Sequence, residues 1–240
     1  MSWLTLPRTP EPEVMSDAEE VEAYASAAGQ AYLDAIDNTL VEQVVSLGPP
    51  TGMLLDIGTG PGGIPLKIAR RCLTLRVVGI DCSANMVRAA RQAAAEQDLA
   101  DRAWFFCGDA NRLCFPTACF DFVLSNSLLH HLQEPLAAFG EMARVAKPDA
   151  VILLRDLRRP SRLTFPLHVR WYGRYYSGLM YELYVDSVRA AYTATELAAL
   201  LRQSPLAGAR IFHYERSTHL GFILDRRNSG RGTGQGIRQA

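Results

Sequence analysis

The sequence predicts an α/β fold built on a mostly parallel sheet with helices on both faces, and three observations predict it. Short apolar runs alternate with amphipathic stretches over roughly a hundred residues, the pattern of a sheet with helical crossovers. The first run, Met53-Leu54-Leu55-Asp56-Ile57, breaks into Gly58-Thr59-Gly60-Pro61-Gly62-Gly63 and then into the helical Pro65-Leu66-Lys67-Ile68-Ala69-Arg70-Arg71. The following runs end in acids, at Asp81 and at Gly108-Asp109. A strand, a tight glycine turn and a helix together open a Rossmann-like nucleotide crevice. The glycines let the backbone approach a ligand, and the helix start offers unpaired N–H groups.

The composition narrows the function classes. The 240 residues suit one α/β domain with additions, and 25 basic residues balance 25 acidic ones. That balance gives no overall field to draw the chain onto nucleic acid or an acidic membrane. Apolar runs are too short to span a bilayer, and Met1-Ser2-Trp3-Leu4-Thr5-Leu6-Pro7 has no signal-peptide core. Cys72, Cys82, Cys107, Cys114 and Cys119 are odd in number and fall inside predicted elements, with Cys107 read as strand core. A reducing, cytoplasmic location is therefore expected.

In chain order, residues 1–16 are Pro- and Glu-rich and read as a flexible arm. A helical cap is expected over 17–47, capped by Ser16 with Glu19 and divided at Gly29. Gly48-Pro49-Pro50 ends it ahead of the first strand. Leu75–Ile80 is a strand buried on both faces. Ser83 caps a helix from Ala84 to about Gln97. Further strands are read at Ala103–Cys107, Phe120–Ser125 and Val151–Leu154, with a helix at Pro135–Ala146. Residues 158–192 differ, mixing Phe165, Trp171, Tyr172, Tyr175, Tyr176, Tyr181 and Tyr184 with Arg158, Arg159, Arg162, Arg170 and Arg174, and read as an inserted helical lid. A second capping box, Thr193 with Glu196, starts the next helix. Ile211–Tyr214 and His219–Leu224 read as a closing antiparallel pair, which ends a main domain at 225. The Gly- and Arg-rich residues 226–240 read as a disordered tail.

Gly58, Gly60 and Gly63 satisfy G-x-G-x-x-G, and Asp56 stands where dehydrogenases usually place an apolar residue. An acid there can orient an amino group of a cationic ligand. Asp81, at a strand end, suits the two hydroxyls of a ribose. The Asp109 carboxylate can accept from an adenine amino group.

These pieces resemble class I S-adenosylmethionine-dependent methyltransferases, in particular the small-molecule type 11 group that includes ubiquinone and menaquinone methyltransferases. The resemblance covers about residues 52–157. It rests on Leu55–Gly62, on Gly79-Ile80-Asp81-Cys82-Ser83 with Met86 and Ala90-Arg91, and on Gly108-Asp109-Ala110. It also rests on Phe120-Asp121-Phe122-Val123 through His130-His131-Leu132, and on Glu141 with Arg144-Val145 and Lys147-Pro148. Asp149-Ala150 stands where many relatives have two glycines. The resemblance implies a seven-stranded sheet with a final antiparallel hairpin and S-adenosyl-L-methionine as cofactor, converted to S-adenosyl-L-homocysteine. It implies that Asp56, Gly58, Gly60 and Gly62 hold the methionine part, with Asn126 beside it. Asp81 would hold the ribose, Cys82 and Met86 would flank the adenine, and Asp109 and Ala110 would bind its edge. Tyr24 would close over the cofactor, with Tyr32 in reserve.

Methyl transfer from a sulfonium needs in-line alignment and exclusion of water, and a base only where the acceptor must lose a proton. His130 and His131 are the candidate catalytic residues, just past the fourth strand. The lid is the candidate site for a small-molecule acceptor, aromatic or anionic, in a monomer or homodimer, and no metal is expected. Two alternatives stand: an RNA methyltransferase, and a non-catalytic S-adenosylmethionine-binding protein. Against the first, Asn126-Ser127-Leu128-Leu129 replaces the Asn/Asp-Pro-Pro-aromatic motif of amino-methylating enzymes of this fold.

Overall fold

Seven strands form one sheet: β1 (Gly52–Ile57), β2 (Leu75–Asp81), β3 (Ala103–Cys107), β4 (Phe120–Asn126), β5 (Ala146–Leu157), β6 (Arg210–His213) and β7 (His219–Asp225). Their order is β3-β2-β1-β4-β5-β7-β6. The first five are parallel, while β7 runs antiparallel between β5 and β6. The computed structural model describes residues 3–11, 27–47, 51–214 and 218–228.

Alternation along the strands divides the core between the two faces. Leu54, Val77, Leu124 and Leu153 point to one side, where they meet α1 (Ala27–Ser46), α2 (Gly63–Arg71) and α3 (Ala84–Glu96) through Leu40, Val44, Ile68 and Ala90. Leu55, Val78, Val123 and Ile152 point to the other, against Phe139 and Met142 of α4 (Pro135–Val145) and Leu197 and Leu201 of α7 (Ala194–Arg202). Residues buried on both faces explain why the central strands lack polar alternation. The order reverses at β1, between β2 and β4, and this places a crevice beyond the strands' carboxyl ends.

The expected caps form where their chemistry requires. Ser83 Oγ accepts from Met86 N–H, and Thr193 and Glu196 make a reciprocal capping box. The lid is helical, with α5 (Phe165–Tyr172) and α6 (Leu179–Ala190) meeting in a small core of Leu157, Val169, Tyr184, Val188 and Ala191.

Several details differ from the sequence reading. Gly29 does not divide the cap among the described residues, because α1 begins at Ala27 and runs through it. β5 starts directly after α4 and includes Asp149-Ala150. Its early start is held by pairing of Ala146 with Phe120 and by an ion pair of Lys147 with Asp121 at 2.8 Å. Cys107 is exposed, because it ends a strand on the sheet's edge. None of the five cysteines is joined in a disulfide. Residues 3–11, read as a loose arm, instead cross the lid. Arg8 donates from Nε to Ala190 O at 2.6 Å and from a guanidinium nitrogen to His130 O at 3.0 Å, and Thr9 N–H donates to Arg189 O at 3.2 Å. Ser16, Glu19, Tyr24 and the tail from 229 lie outside the described residues.

Candidate active site

The glycine turn is fastened to the end of β2. Gly58 and Thr59 both donate their N–H to Ile80 O at 2.9 Å, and Gly62 N–H closes the turn on Thr59 O at 3.1 Å. Gly58, Gly60 and Gly62 all have positive φ, the region where a side chain is strained. A Cβ on Gly60 would meet no atom within 4 Å, so this corner faces open space that a ligand can approach. Asp81 bridges turn and helix, accepting Gly60 N–H on Oδ2 and Ser83 N–H on Oδ1, each at 2.9 Å. Each oxygen keeps a lone pair for a further donor.

Asp56 is 2% exposed, and its Oδ1 has no hydrogen-bond partner among the described residues. Burial pushes its carboxyl up to about 7 against the pull of the Thr59 side chain, with the nearby charges of Asp81 and Asp37 adding to the rise. A buried, unpaired carboxylate oxygen beside a glycine turn is the environment an ammonium group would relieve.

These residues line one cavity of about 240 Å³. At one end stand Asp56, Gly58, Gly60, Asp81, Cys82 and Met86; Tyr32, Tyr176, Met180, Leu183 and Tyr184 come from α1 and the lid. Asn126, His130 and His131 stand on its wall. Gly62, Asp109 and Ala110 do not line it, and the Asp109 Oδ1 accepts Asn111 N–H at 2.8 Å. Among the described lining residues none is Lys or Arg; the lid arginines turn elsewhere, with Arg174 stacked over Trp171 and Tyr175.

The residues after β4 are held by side chains that the sequence reading did not single out. Arg155, 1% exposed, donates from Nε to Asn126 Oδ1 at 2.7 Å and from Nη1 to Ile36 O at 2.7 Å and Thr39 Oγ1 at 2.9 Å. This orients the Asn126 carboxamide with its oxygen inward. Asp37, another lining residue, lies 3.6 Å from the Arg155 guanidinium, and burial lifts its carboxyl to about 6. His130 is 2% exposed, and its Nδ1 lies 2.5 Å from Asp156 Oδ1. Asp156 Oδ2 also accepts His130 N–H at 3.2 Å. Burial opposes charge on His130, but the Asp156 carboxylate and then Glu11 outweigh it and raise the imidazole above its ordinary value. Against its own burial, Asp156 is pulled below the usual carboxylate range by His130. Glu11, from the N-terminal crossing, places Oε2 at 3.5 Å from His131 Nδ1 and 4.0 Å from His130 Nε2. An acid at the end of a fifth strand was readable by the logic applied to Asp81. Nothing local in Pro10-Glu11-Pro12 announces a buried carboxylate.

The residues present fit S-adenosyl-L-methionine. Asp56 offers an unpaired carboxylate oxygen for the ammonium group, Gly60 an open corner, and Asp81 spare acceptors for a diol. The sheet order and its closing antiparallel hairpin are those of the class I methyltransferase fold. Residues 55–154 match the family model described as a methyltransferase domain. The ajmaline N-methyltransferase of Rauvolfia serpentina is 37% identical over 101 residues, which is 42% of this chain and 34% of that protein. A demethylmenaquinone methyltransferase of Lactiplantibacillus plantarum is 28% identical over 174 residues, covering 68% and 72%. For the other curated relatives compared, the matching stretch spans 44% to 50% of their length. A crystal structure of a SAM-dependent methyltransferase from Aquifex aeolicus superimposes with a TM-score of 0.62 at 21% identity, over 86% of this chain and 97% of that one. Among the described residues no helix is long and apolar enough to cross a membrane.

Proposed function

We propose that the protein transfers a methyl group from S-adenosyl-L-methionine to a small, flat, largely uncharged acceptor that carries an ionisable hydroxyl or similar group. The observation that carries this reading is one cavity with two differently built ends. Asp56, Gly58, Gly60 and Asp81 make a cofactor end, and tyrosines, Met180 and Leu183 with His130 make an acceptor end. The bound cofactor supplies a sulfonium methyl already activated for in-line displacement.

The chain's own residues then align the acceptor and keep water out. Asp56 takes the ammonium group, with Asn126 beside it. Asp81 takes the ribose hydroxyls, while Cys82 and Met86 pack on the adenine. Gly62 shapes the turn from behind. Asp109 and Ala110 stand outside the cavity wall, and their role at the adenine edge rests on the resemblance alone. Tyr32, the reserve candidate for closing over the cofactor, lines the cavity from α1. Aromatic lid walls suit a planar acceptor. The absence of Lys and Arg from the described lining favours an uncharged acceptor over an anionic one. His130 is oriented by Asp156 through Nδ1, which leaves Nε2 to take a proton from the acceptor, with His131 stacked beside it at a ring separation of 4.1 Å. The relatives' printed names, an N-methyltransferase and a quinone-precursor methyltransferase, support a small-molecule acceptor. We place the protein in the cytoplasm on its free cysteines.

Calorimetry tests the cofactor: S-adenosyl-L-methionine and S-adenosyl-L-homocysteine are expected to bind, and NAD is not. Binding of NAD alone overturns the reading. Incubating the protein with phenols, quinols, arylamines and aromatic carboxylates, and screening each for the mass of one added methyl, tests the acceptor. Binding without turnover on any class would favour a non-catalytic cofactor-binding protein.

A further inference from the structure

The corner where Glu11, His130 and His131 meet is built more elaborately than proton removal requires. Glu11 reaches it on the N-terminal crossing that Arg8 and Thr9 pin, and its Oε1 accepts from Ser187 Oγ of α6 at 3.3 Å. Its other oxygen, Oε2, is buried without a hydrogen-bond partner among the described residues, on a side chain only 8% exposed. That oxygen, one nitrogen of His130 and one of His131 lie within 4.8 Å of one another. Two imidazoles and a carboxylate are a common donor set for a divalent transition ion. Ligand atoms about 2.0 to 2.2 Å from a tetrahedral zinc stand a little over 3 Å apart. The Glu11 oxygen is 3.5 and 4.0 Å from the two nitrogens and all three atoms lie within 4.8 Å, so closure by side-chain rotation would bring them to an ion.

The second observation is Asp156. A metal-binding histidine almost always gives its other ring N–H to a carboxylate, which fixes the ring and strengthens the donor nitrogen. His130 does so at 2.5 Å, with its Nε2 turned toward Glu11. Among the described residues, the carboxylates of Glu11 and Asp156 face this buried corner, with Asp186 near Glu11 and the guanidinium of Arg8 opposing them.

We propose that Glu11 Oε2, His130 Nε2 and His131 Nδ1 form a binding site for one divalent transition cation of the zinc type, with Asp156 orienting His130. A fourth position would remain for an acceptor oxygen or sulfur, or for water. A proton and the ion compete for the same nitrogens, so a loaded site holds the acceptor where an empty one takes its proton. That consequence rests on the methyl-transfer reading; ion binding itself does not.

The test uses tag-free full-length protein, stripped with a chelator. Zinc chloride in calorimetry and cobalt(II) chloride in visible absorption are each expected to titrate to one ion per chain, and zinc to raise the melting temperature. Glu11→Gln should weaken zinc binding by more than tenfold, and Asp156→Asn by about 10- to 100-fold. Retained binding of S-adenosyl-L-homocysteine shows that each variant is folded. Should a variant fail to fold, histidine-ring nitrogen NMR of the parent decides: zinc should move the signals of His130 and His131. No saturable binding overturns the proposal. So does an affinity indifferent to Glu11→Gln, as for an ion taken by the exposed Cys82, Cys107 or Cys114, and so do shifts elsewhere. Failure of S-adenosyl-L-homocysteine to bind the parent would sink the methyl-transfer reading and leave the ion result standing.

Discussion

Asp81 fastens the turn across from it: its Oδ2 accepts the Gly60 N–H at 2.9 Å, so the proposed ribose acid also sets the shape of the glycine turn. Its other oxygen holds Ser83 at the start of α3. Asp81→Ala therefore removes both a ligand contact and a brace. The expected loss in affinity for S-adenosyl-L-homocysteine is about 1 to 3 kcal/mol, the scale of a hydrogen bond to a charged group. Asp81→Asn keeps one acceptor and should lose less. Calorimetry on both variants checks this, and unchanged affinity in Asp81→Ala would remove the ribose assignment.

Asp56 predicts a pH dependence whose sign follows from its burial. Its folded-state carboxyl titrates near 7, against 3.8 for the free group. Between these values the folded chain holds a proton that the unfolded chain has released, so stability declines as pH rises through this window. The melting temperature of the ligand-free protein should fall from pH 5 to pH 7. Asp37 and Asp81 are raised in the same direction by burial, so Asp56→Asn should flatten the slope without abolishing it. A ligand ammonium group placed against the carboxylate reverses the preference. Affinity for S-adenosyl-L-homocysteine should increase from pH 5.5 to 7 (about the span set by that carboxyl), and Asp56→Asn should lose this rise.

The parts of the site legible in the sequence are those made by short stretches of chain. Gly58, Gly60 and Asp56 sit in one strand-turn-helix unit, and Asp81 ends the neighbouring strand, so local pattern sufficed. The alternation of strands and helices likewise anticipated the sheet, because each crossover is local. Arg155 and Asp156 were passed over because a charged pair after Leu154 reads as a strand's end. Both are instead buried, by α1 on one side and the turn after β4 on the other. Glu11 was beyond reach for the same reason in stronger form, since its burial depends on a chain crossing that no nearby residue encodes.

Arg155 ties α1 to the sheet from a position with almost no solvent contact. Its guanidinium serves Asn126, the Ile36 carbonyl and Thr39, and lies over the Tyr214 ring at 5.4 Å. Arg155→Met keeps volume but leaves Asn126 and Asp37 without their cation. Urea unfolding should show a loss of about 3 kcal/mol, the scale of breaking a buried ion pair. Cofactor affinity should fall with it, because Asn126 and Asp37 both line the cavity. A stable variant with weakened cofactor binding would show that Arg155 organises the site more than the fold.

Tyr32 couples the cap to the lid. Its ring stacks on Tyr175 at 4.1 Å between centroids, 7° from parallel, and meets Tyr176 edge-on at 6.1 Å. Tyr176 in turn stacks on Tyr184 at 4.9 Å, which carries the contact into the small lid core. Such aromatic pairs contribute roughly 0.5 to 1.5 kcal/mol each beyond the area they bury. Tyr32→Ala should therefore loosen the lid more than the sheet. Hydrogen exchange should speed up through residues 173–190 while β1 and β4 keep their protection, because local opening draws on the least buried contacts. Tyr32→Phe keeps the ring and should leave exchange near that of the parent. If exchange instead rises equally across lid and sheet, the tyrosine stack stabilises the fold as a whole and is not a latch between cap and lid.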